Sequence, residues 1–146
     1  MDDEREKLAI IAEEIEKAVR QRIRETYSPR AVAYIEKPVN VGVVERANGF
    51  GVFTGLCGDT MKIYLRMGED VVREATFETD GCEATIAAGC AVTEIARGRS
   101  LEEAMGVSPA LLLDHLGGLP PDHIHCAILA ATSFLNALAN YLILNE

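Results

Sequence analysis

The segment 119–126, which reads Leu-Pro-Pro-Asp-His-Ile-His-Cys, restricts the possible folds of this chain more than any other stretch. Two prolines end any helix before them, and the residues that follow repeat apolar side chains at spacings of three and four. The pattern predicts a long helix with much of its surface buried, and Asp122 is placed to cap it. His125 and Cys126 would then lie in the first turn, where free N–H groups and the helix dipole favour a thiolate. From this segment alone, two interpretations are equally good. Either its Cys and His act as a metal ligand or nucleophile, or the segment is only the structural start of a helix.

Composition and charge exclude several classes of protein for this chain. A chain of 146 residues forms one domain, and its net charge of −9 argues against binding of nucleic acid. The acidic N-terminus does not resemble a signal peptide, and polar side chains interrupt the last helix, which argues against a membrane span. We therefore expect a cytoplasmic protein whose four cysteines are thiols. In a reducing compartment, clustered cysteine and histidine indicate metal binding or catalysis.

Residues 3–25 predict an amphipathic helix with a narrow apolar stripe. The stripe consists of Leu8, Ile11, Ile15, Val19 and Ile23. It can fold back on its own domain or pair with another chain as a homo-oligomer, and we favour the first. The sequence thus divides into an N-terminal helix, residues 1–26, and a single domain, residues 27–146.

The middle of the chain predicts a small sheet between helices. Ser28 and Pro29 predict the start of a short helix, and residues 41–45 a first strand. The glycine-rich stretch 47–59 is expected to be mobile, and residues 60–67 and 71–79 to form a hairpin.

The next helix is predicted to be buried because it is small and apolar on nearly all sides. Asp80 and Glu83 resemble a capping box, which would put Cys82 in the first turn. Cys90 lies more than two turns further along and is predicted to be a core residue.

Three cysteines occupy the ends of predicted elements. Cys57 lies on a loop two residues before Asp59, and Cys82 and Cys126 each begin a buried helix. If both helices pack on one face of the sheet, these groups converge with His125. A site made of thiolates and at most one other ligand favours binding of zinc, Cu(I) or an iron–sulfur cluster. The chain has no Cys-x-x-Cys pair, so the spacing is not that of a zinc finger.

Several motifs in order resemble those of the IscU/NifU N-terminal family of iron–sulfur cluster assembly scaffolds. They are Pro38-Val39-Asn40-Val41-Gly42, Cys57-Gly58-Asp59, Asp80-Gly81-Cys82, the segment 98–104, and Leu119-Pro120-Pro121 with His125-Cys126. The resemblance implies an α+β fold, in which a three-stranded antiparallel sheet has helices packed on one face. To this fold the present chain adds the N-terminal amphipathic helix.

The resemblance also implies a function, that of a scaffold rather than an enzyme. It implies a labile [2Fe–2S] cluster held by Cys57, Cys82 and Cys126, with Asp59 and His125 close by. Either Asp59 or His125 would supply the fourth ligand. Fe²⁺ is the expected cargo, and Zn²⁺ can occupy the same thiolates. A cysteine desulfurase would deliver sulfur as a persulfide with Cys126 as the final acceptor, and Asp59 would keep the cluster easy to release.

The implied partners are the desulfurase, apo iron–sulfur acceptor proteins, and a ferredoxin or a frataxin-like protein. The family branch that uses a DnaK-type chaperone has Val and Lys where this chain has Asp122 and His123, which argues against chaperone recognition. His123 either points to solvent or stands in as a ligand, and we favour solvent.

The alternative function is a zinc-bound persulfide acceptor that activates the desulfurase, and a third is a structural zinc module. The persulfide-acceptor branch carries an insertion between the second and third cysteines and lacks the histidine before the last. The presence of His125 and the absence of an evident insertion favour the scaffold.

Overall fold

The computed structural model describes residues 2–144, which contain one three-stranded sheet. Three strands, β1 (Gly49–Thr54), β2 (Thr60–Gly68) and β3 (Val71–Thr79), pair antiparallel in the order β1-β2-β3. On β2 the odd-numbered residues from Met61 to Met67 are buried, and Lys62 and Arg66 on the other face are exposed. This alternation puts one face of the sheet against the helices, as predicted. The α+β class and the hairpin are confirmed.

Residues 2–144 form six α-helices. They are α1 (Asp2–Thr26), α2 (Pro29–Glu36), α3 (Glu83–Ala96), α4 (Leu101–Ala104), α5 (Pro109–Leu116) and α6 (His125–Leu144), with a 3-10 turn over Pro121–His123. Helix α6 packs on β1 and β2, and α3 packs on β3 and on α6. The first residues of α3 and α6 therefore lie near each other at one end of the sheet.

The first strand was predicted in the wrong place. Of residues 41–45, only Val41 forms a bridge, with Phe77, and the true first strand is inside the glycine-rich stretch that was expected to be mobile. Its glycines have a packing role. A Cβ on Gly51 would lie 2.9 Å from Ala137 Cα and closer still to the backbone of Ser133, so glycine allows α6 to rest directly on the strand.

We expect Gly51→Ala to lower the free energy of unfolding by roughly 3 kcal/mol, because overpacking against a helix backbone has little room to relax. Gly55→Ala is the matched control, since its Cβ would meet only ordinary contacts at 3.7 Å or more. Urea denaturation of both variants measures the difference. Equal midpoints for the two variants would contradict the assigned role of Gly51.

The helix caps agree with the sequence except before α3 and α6. Cys82, not Asp80, is the N-cap residue of α3, and the Asp80 carboxylate instead accepts from the Thr60 N–H at 2.8 Å. Asp122 lies in the 3-10 turn rather than capping α6, which begins at His125.

Helix α1 does not fold back on its domain, so that expectation is wrong. Its apolar stripe is exposed at Leu8, Ile11, Ile15 and Val19, and only Ile23 is buried. Exposed ion pairs join Arg22 to Glu83 and Arg24 to Glu36, so only the last turns of α1 are tied to the domain.

The long helix α6 carries its apolar residues on two faces. The side toward the sheet, including Phe134 and Ala137, is fully buried, whereas Ile128 and Leu135 of the predicted stripe are exposed. By length and composition, the segment Pro121–Leu144 could span a membrane. Half of its most apolar stretch is nevertheless buried inside the fold.

Candidate functional site

Two cysteines and a histidine form the tightest group of possible metal ligands in the described chain. One ligand atom each from Cys82, His123 and Cys126 lies within 4.8 Å of the others. Cys82 caps α3, Cys126 is the second residue of α6, and His123 ends the 3-10 turn between α5 and α6. The site therefore exists because two helix N-termini meet, as the sequence predicted for the cysteines.

His123 faces solvent only in part, because about 30% of its side chain is exposed. Its Nδ1 is buried and has no hydrogen-bond partner among the described residues. Its ring lies 6.3 Å from that of Tyr27 and 6.2 Å from that of His125, measured between centroids. The sequence signal for this position was the histidine standing where the chaperone-using branch of the family has lysine.

The other predicted site residues surround this group. His125 Nε2 is 3.7 Å from Cys126 Sγ. Asp59 is connected to the site by Thr85, whose hydroxyl donates to Asp59 Oδ2 at 3.2 Å. Sequence reasoning did not identify Thr85. Cys57 is exposed on the turn between β1 and β2 and lies outside the 4.8 Å group.

Thr85 lies at the centre of this arrangement and is fully buried. Its Oγ1 is 3.4 Å from Cys126 Sγ and 3.8 Å from Cys82 Sγ, in addition to its bond with Asp59. Only its position three residues after Cys82, on the same side of the first helical turn, could have indicated it. The hydroxyl links the carboxylate to the buried thiol.

The surroundings of Cys126 disfavour its thiolate in the metal-free protein. Burial raises the pKa of Cys126 to about 11, and the charges of Cys82, Cys57 and Asp59 raise it too, whereas the bond with Thr85 lowers it. A bound metal ion favours the thiolate, so metal binding at this site must release the Cys126 proton.

Tyr27 closes the site on the side of α1. Its hydroxyl is buried and has no hydrogen-bond partner among the described residues. Burial, together with the negative charges of Glu83 and Cys82, raises the pKa of this hydroxyl. Two orphaned polar atoms, on Tyr27 and His123, thus lie beside soft thiol donors, which is the environment that a bound ion or cluster would complete.

Cys90 does not belong to the site. It is fully buried in α3, and its sulfur accepts from the Val39 N–H at 3.4 Å. Its prediction as a core residue is confirmed.

The sequence profile described as "NifU-like N terminal domain" matches residues 26–146. The chain belongs to this family. It is 37% identical over 116 residues to iron–sulfur cluster assembly scaffold protein IscU 1 of Archaeoglobus fulgidus, a match covering 79% of this chain and 76% of that protein. It is 36% identical over 121 residues to the IscU scaffold of Escherichia coli K12, covering 79% and 93%.

Two further comparisons concern a longer relative and the fold. The nitrogen fixation protein NifU of Azotobacter chroococcum is 35% identical over 118 residues, and the match spans 38% of that protein. A crystal structure described as a putative scaffold for the SUF system, FiSufU from Fervidobacterium islandicum, superposes with a TM-score of 0.62 at 21% identity. That match covers 77% of this chain and 96% of FiSufU, and it establishes the shared fold.

Proposed function

We propose that this chain is a scaffold on which a labile [2Fe–2S] cluster is assembled and from which it passes to apo-proteins. Membership of a family with IscU scaffolds supports the proposal. The observation that carries it is the meeting of Cys82 and Cys126 at two helix N-termini, with Asp59 linked to Cys126 through Thr85. Cys57, on its exposed turn, would close over the cluster as a third thiolate.

Sulfur would arrive as a persulfide on a cysteine desulfurase. The Cys126 thiolate attacks the terminal sulfur, a new S–S bond forms, the S–S bond of the donor breaks, and the desulfurase thiolate leaves. Because burial raises the pKa of Cys126, a metal ion that displaces its proton would make this step easier. Bound Fe²⁺ or Zn²⁺ would serve this purpose.

Cluster formation also has an electron requirement. Two persulfide sulfurs need four electrons to become two sulfides, and two Fe²⁺ ions supply two of them on becoming Fe³⁺. A ferredoxin would supply the other two. The chain then acts as a carrier and not as an enzyme, and a frataxin-like protein is a further proposed partner.

Anaerobic reconstitution tests this function. The protein is incubated with Fe²⁺, cysteine, a cysteine desulfurase and a thiol reductant, and then desalted. We expect a visible charge-transfer spectrum and equal amounts of iron and acid-labile sulfide. Colourless protein that retains one zinc ion and no sulfide would contradict the scaffold.

A zinc-bound persulfide acceptor is the second candidate. The observation in its favour is that ligand atoms within 4.8 Å of one another match a single tetrahedral ion. Stimulation of the desulfurase by the zinc form, without cluster formation, would support this candidate over the first.

A further inference from the structure

We propose that His123 is itself a ligand of the metal site, supplying an imidazole nitrogen beside the thiolates of Cys82 and Cys126. The inference deepens the proposed function by naming a donor that the cysteine motifs do not include. It concerns the binding of one divalent ion, which can be measured whether or not a cluster is assembled.

The donor set fits a d¹⁰ divalent ion. Two thiolates and one neutral imidazole balance the charge of Zn²⁺ and leave a fourth position open in a tetrahedral site. The three ligand atoms lie within 4.8 Å of one another, so a small inward movement of the side chains brings them onto a common ion. His125 is adjacent to Cys126 but is not part of this group.

One ring nitrogen of His123 has the environment of an uncompleted metal ligand. Nδ1 is buried and has no partner within residues 2–144, which is costly unless an ion or a proton donor completes it. The exposed carboxylate of Asp122 lies 3.8 Å from Nε2, outside hydrogen-bond distance, and its negative charge favours a cation bound by the imidazole.

The backbone holds the imidazole in place before any metal arrives. The His123 N–H donates to the Pro120 carbonyl at 2.8 Å, which fixes the 3-10 turn after the two prolines. The Tyr27 ring packs beside the imidazole. At this position a lysine, as in the chaperone-using branch of the family, would bring a cation that cannot bind a metal ion until it loses a proton.

The test measures Zn²⁺ affinity of the reduced full-length protein by competition with a chromophoric chelator, followed by Co²⁺ absorption spectra. We expect His123→Ala to weaken Zn²⁺ binding at least tenfold, since even the loss of a second-shell partner costs roughly that much. The matched control is His115→Ala, because His115 contacts Arg30 and Tyr34 away from the site. In the wild type, Zn²⁺ should shift the NMR resonance of a His123 ring nitrogen.

An unchanged Zn²⁺ affinity in His123→Ala, or a His123 nitrogen resonance that does not move when Zn²⁺ is added, would overturn the proposal. A variant that loses affinity and also loses a ligand-field band of bound Co²⁺ would support it. Because no desulfurase or iron is present, failure here leaves cluster assembly by the three cysteines a separate question with a separate experiment.

We also infer that α1 pairs with α1 of a second copy in antiparallel orientation. Leu8 and Ile15 on its stripe are 66% and 59% exposed, and an isolated amphipathic helix is only marginally stable in water. Acidic residues dominate positions 2–16, and basic residues dominate positions 17–24. A parallel pair would align like charges, whereas an antiparallel pair brings the basic end of each helix against the acidic end of the other.

Sedimentation velocity on the full-length protein tests the pairing. We expect a dimer that the double variant Ile11→Lys/Ile15→Lys converts to monomer, and that Val43→Lys, at an equally exposed site in the domain, leaves intact. For orientation, Glu4 and Arg22 lie seven residues from Ile11 and Ile15, along the stripe, and face each other in an antiparallel pair. Glu4→Arg and Arg22→Glu should each weaken the dimer and together restore it. A monomeric wild type, a dimeric Ile11→Lys/Ile15→Lys variant, or no restoration would overturn the inference.

Discussion

Cys82→Ala and Cys126→Ala are expected to abolish cluster assembly, and Cys57→Ala to reduce it to near background. Losing a thiolate should cost at least as much as losing a second-shell partner, about 10- to 100-fold in metal affinity. Cys82 and Cys126 lie in the 4.8 Å group, whereas Cys57 would reach the site only by movement of its exposed turn. The measurement is acid-labile sulfide bound per chain after anaerobic reconstitution.

Cys90→Ala is the control for these variants. Cys90 is fully buried, so its replacement should cost about 1 kcal/mol of stability and leave assembly intact. Assembly lost in Cys90→Ala, with its circular dichroism spectrum unchanged, would show that the ligands have been assigned wrongly.

Asp59→Ala is expected to assemble a cluster and to release it about tenfold more slowly to an apo-ferredoxin, equivalent to ~1.4 kcal/mol on the barrier. A carboxylate is a hard partner for a soft iron–sulfur core, and its charge repels the anionic thiolate-bound cluster. Transfer kinetics followed by circular dichroism measure the rate.

Two neighbouring variants separate the charge of Asp59 from its hydrogen bond. Asp59→Asn keeps an acceptor for the Thr85 hydroxyl and removes the charge, so release should be slow. Thr85→Val removes the hydrogen bond and keeps the charge, so release should be close to wild type. The charge argument fails if Thr85→Val alone slows release, and failure of Asp59→Ala to assemble would make Asp59 an obligatory ligand.

Local sequence signals predicted most of the elements. Ser28 with Pro29 begins a helix as expected, because this cap depends only on neighbouring residues. The hairpin of β2 and β3 was predictable from its alternation and turn for the same reason.

The errors arose where the role of a residue depends on distant parts of the chain. The glycine content around Gly51 indicates a loop. Gly51 nevertheless lies in a strand, where the absence of a side chain lets α6 pack directly on it. The stripe of α1 shows which side is apolar and does not show what covers that side. His123 lies in the site because the segment after α5 packs beside Tyr27. Tyr27 is almost a hundred residues earlier in the chain.

The order in which the ligands occur along the chain has a consequence for biosynthesis. Cys57, Asp59 and Cys82 leave the ribosome well before Cys126, and α6 completes both the sheet packing and the site. A nascent chain that lacks α6 presents only an exposed turn and a helix cap, without the buried thiol that closes the donor set. On the proposed function, iron capture would wait until α6 has been synthesised and packed, so bound metal would indicate that α6 is in place.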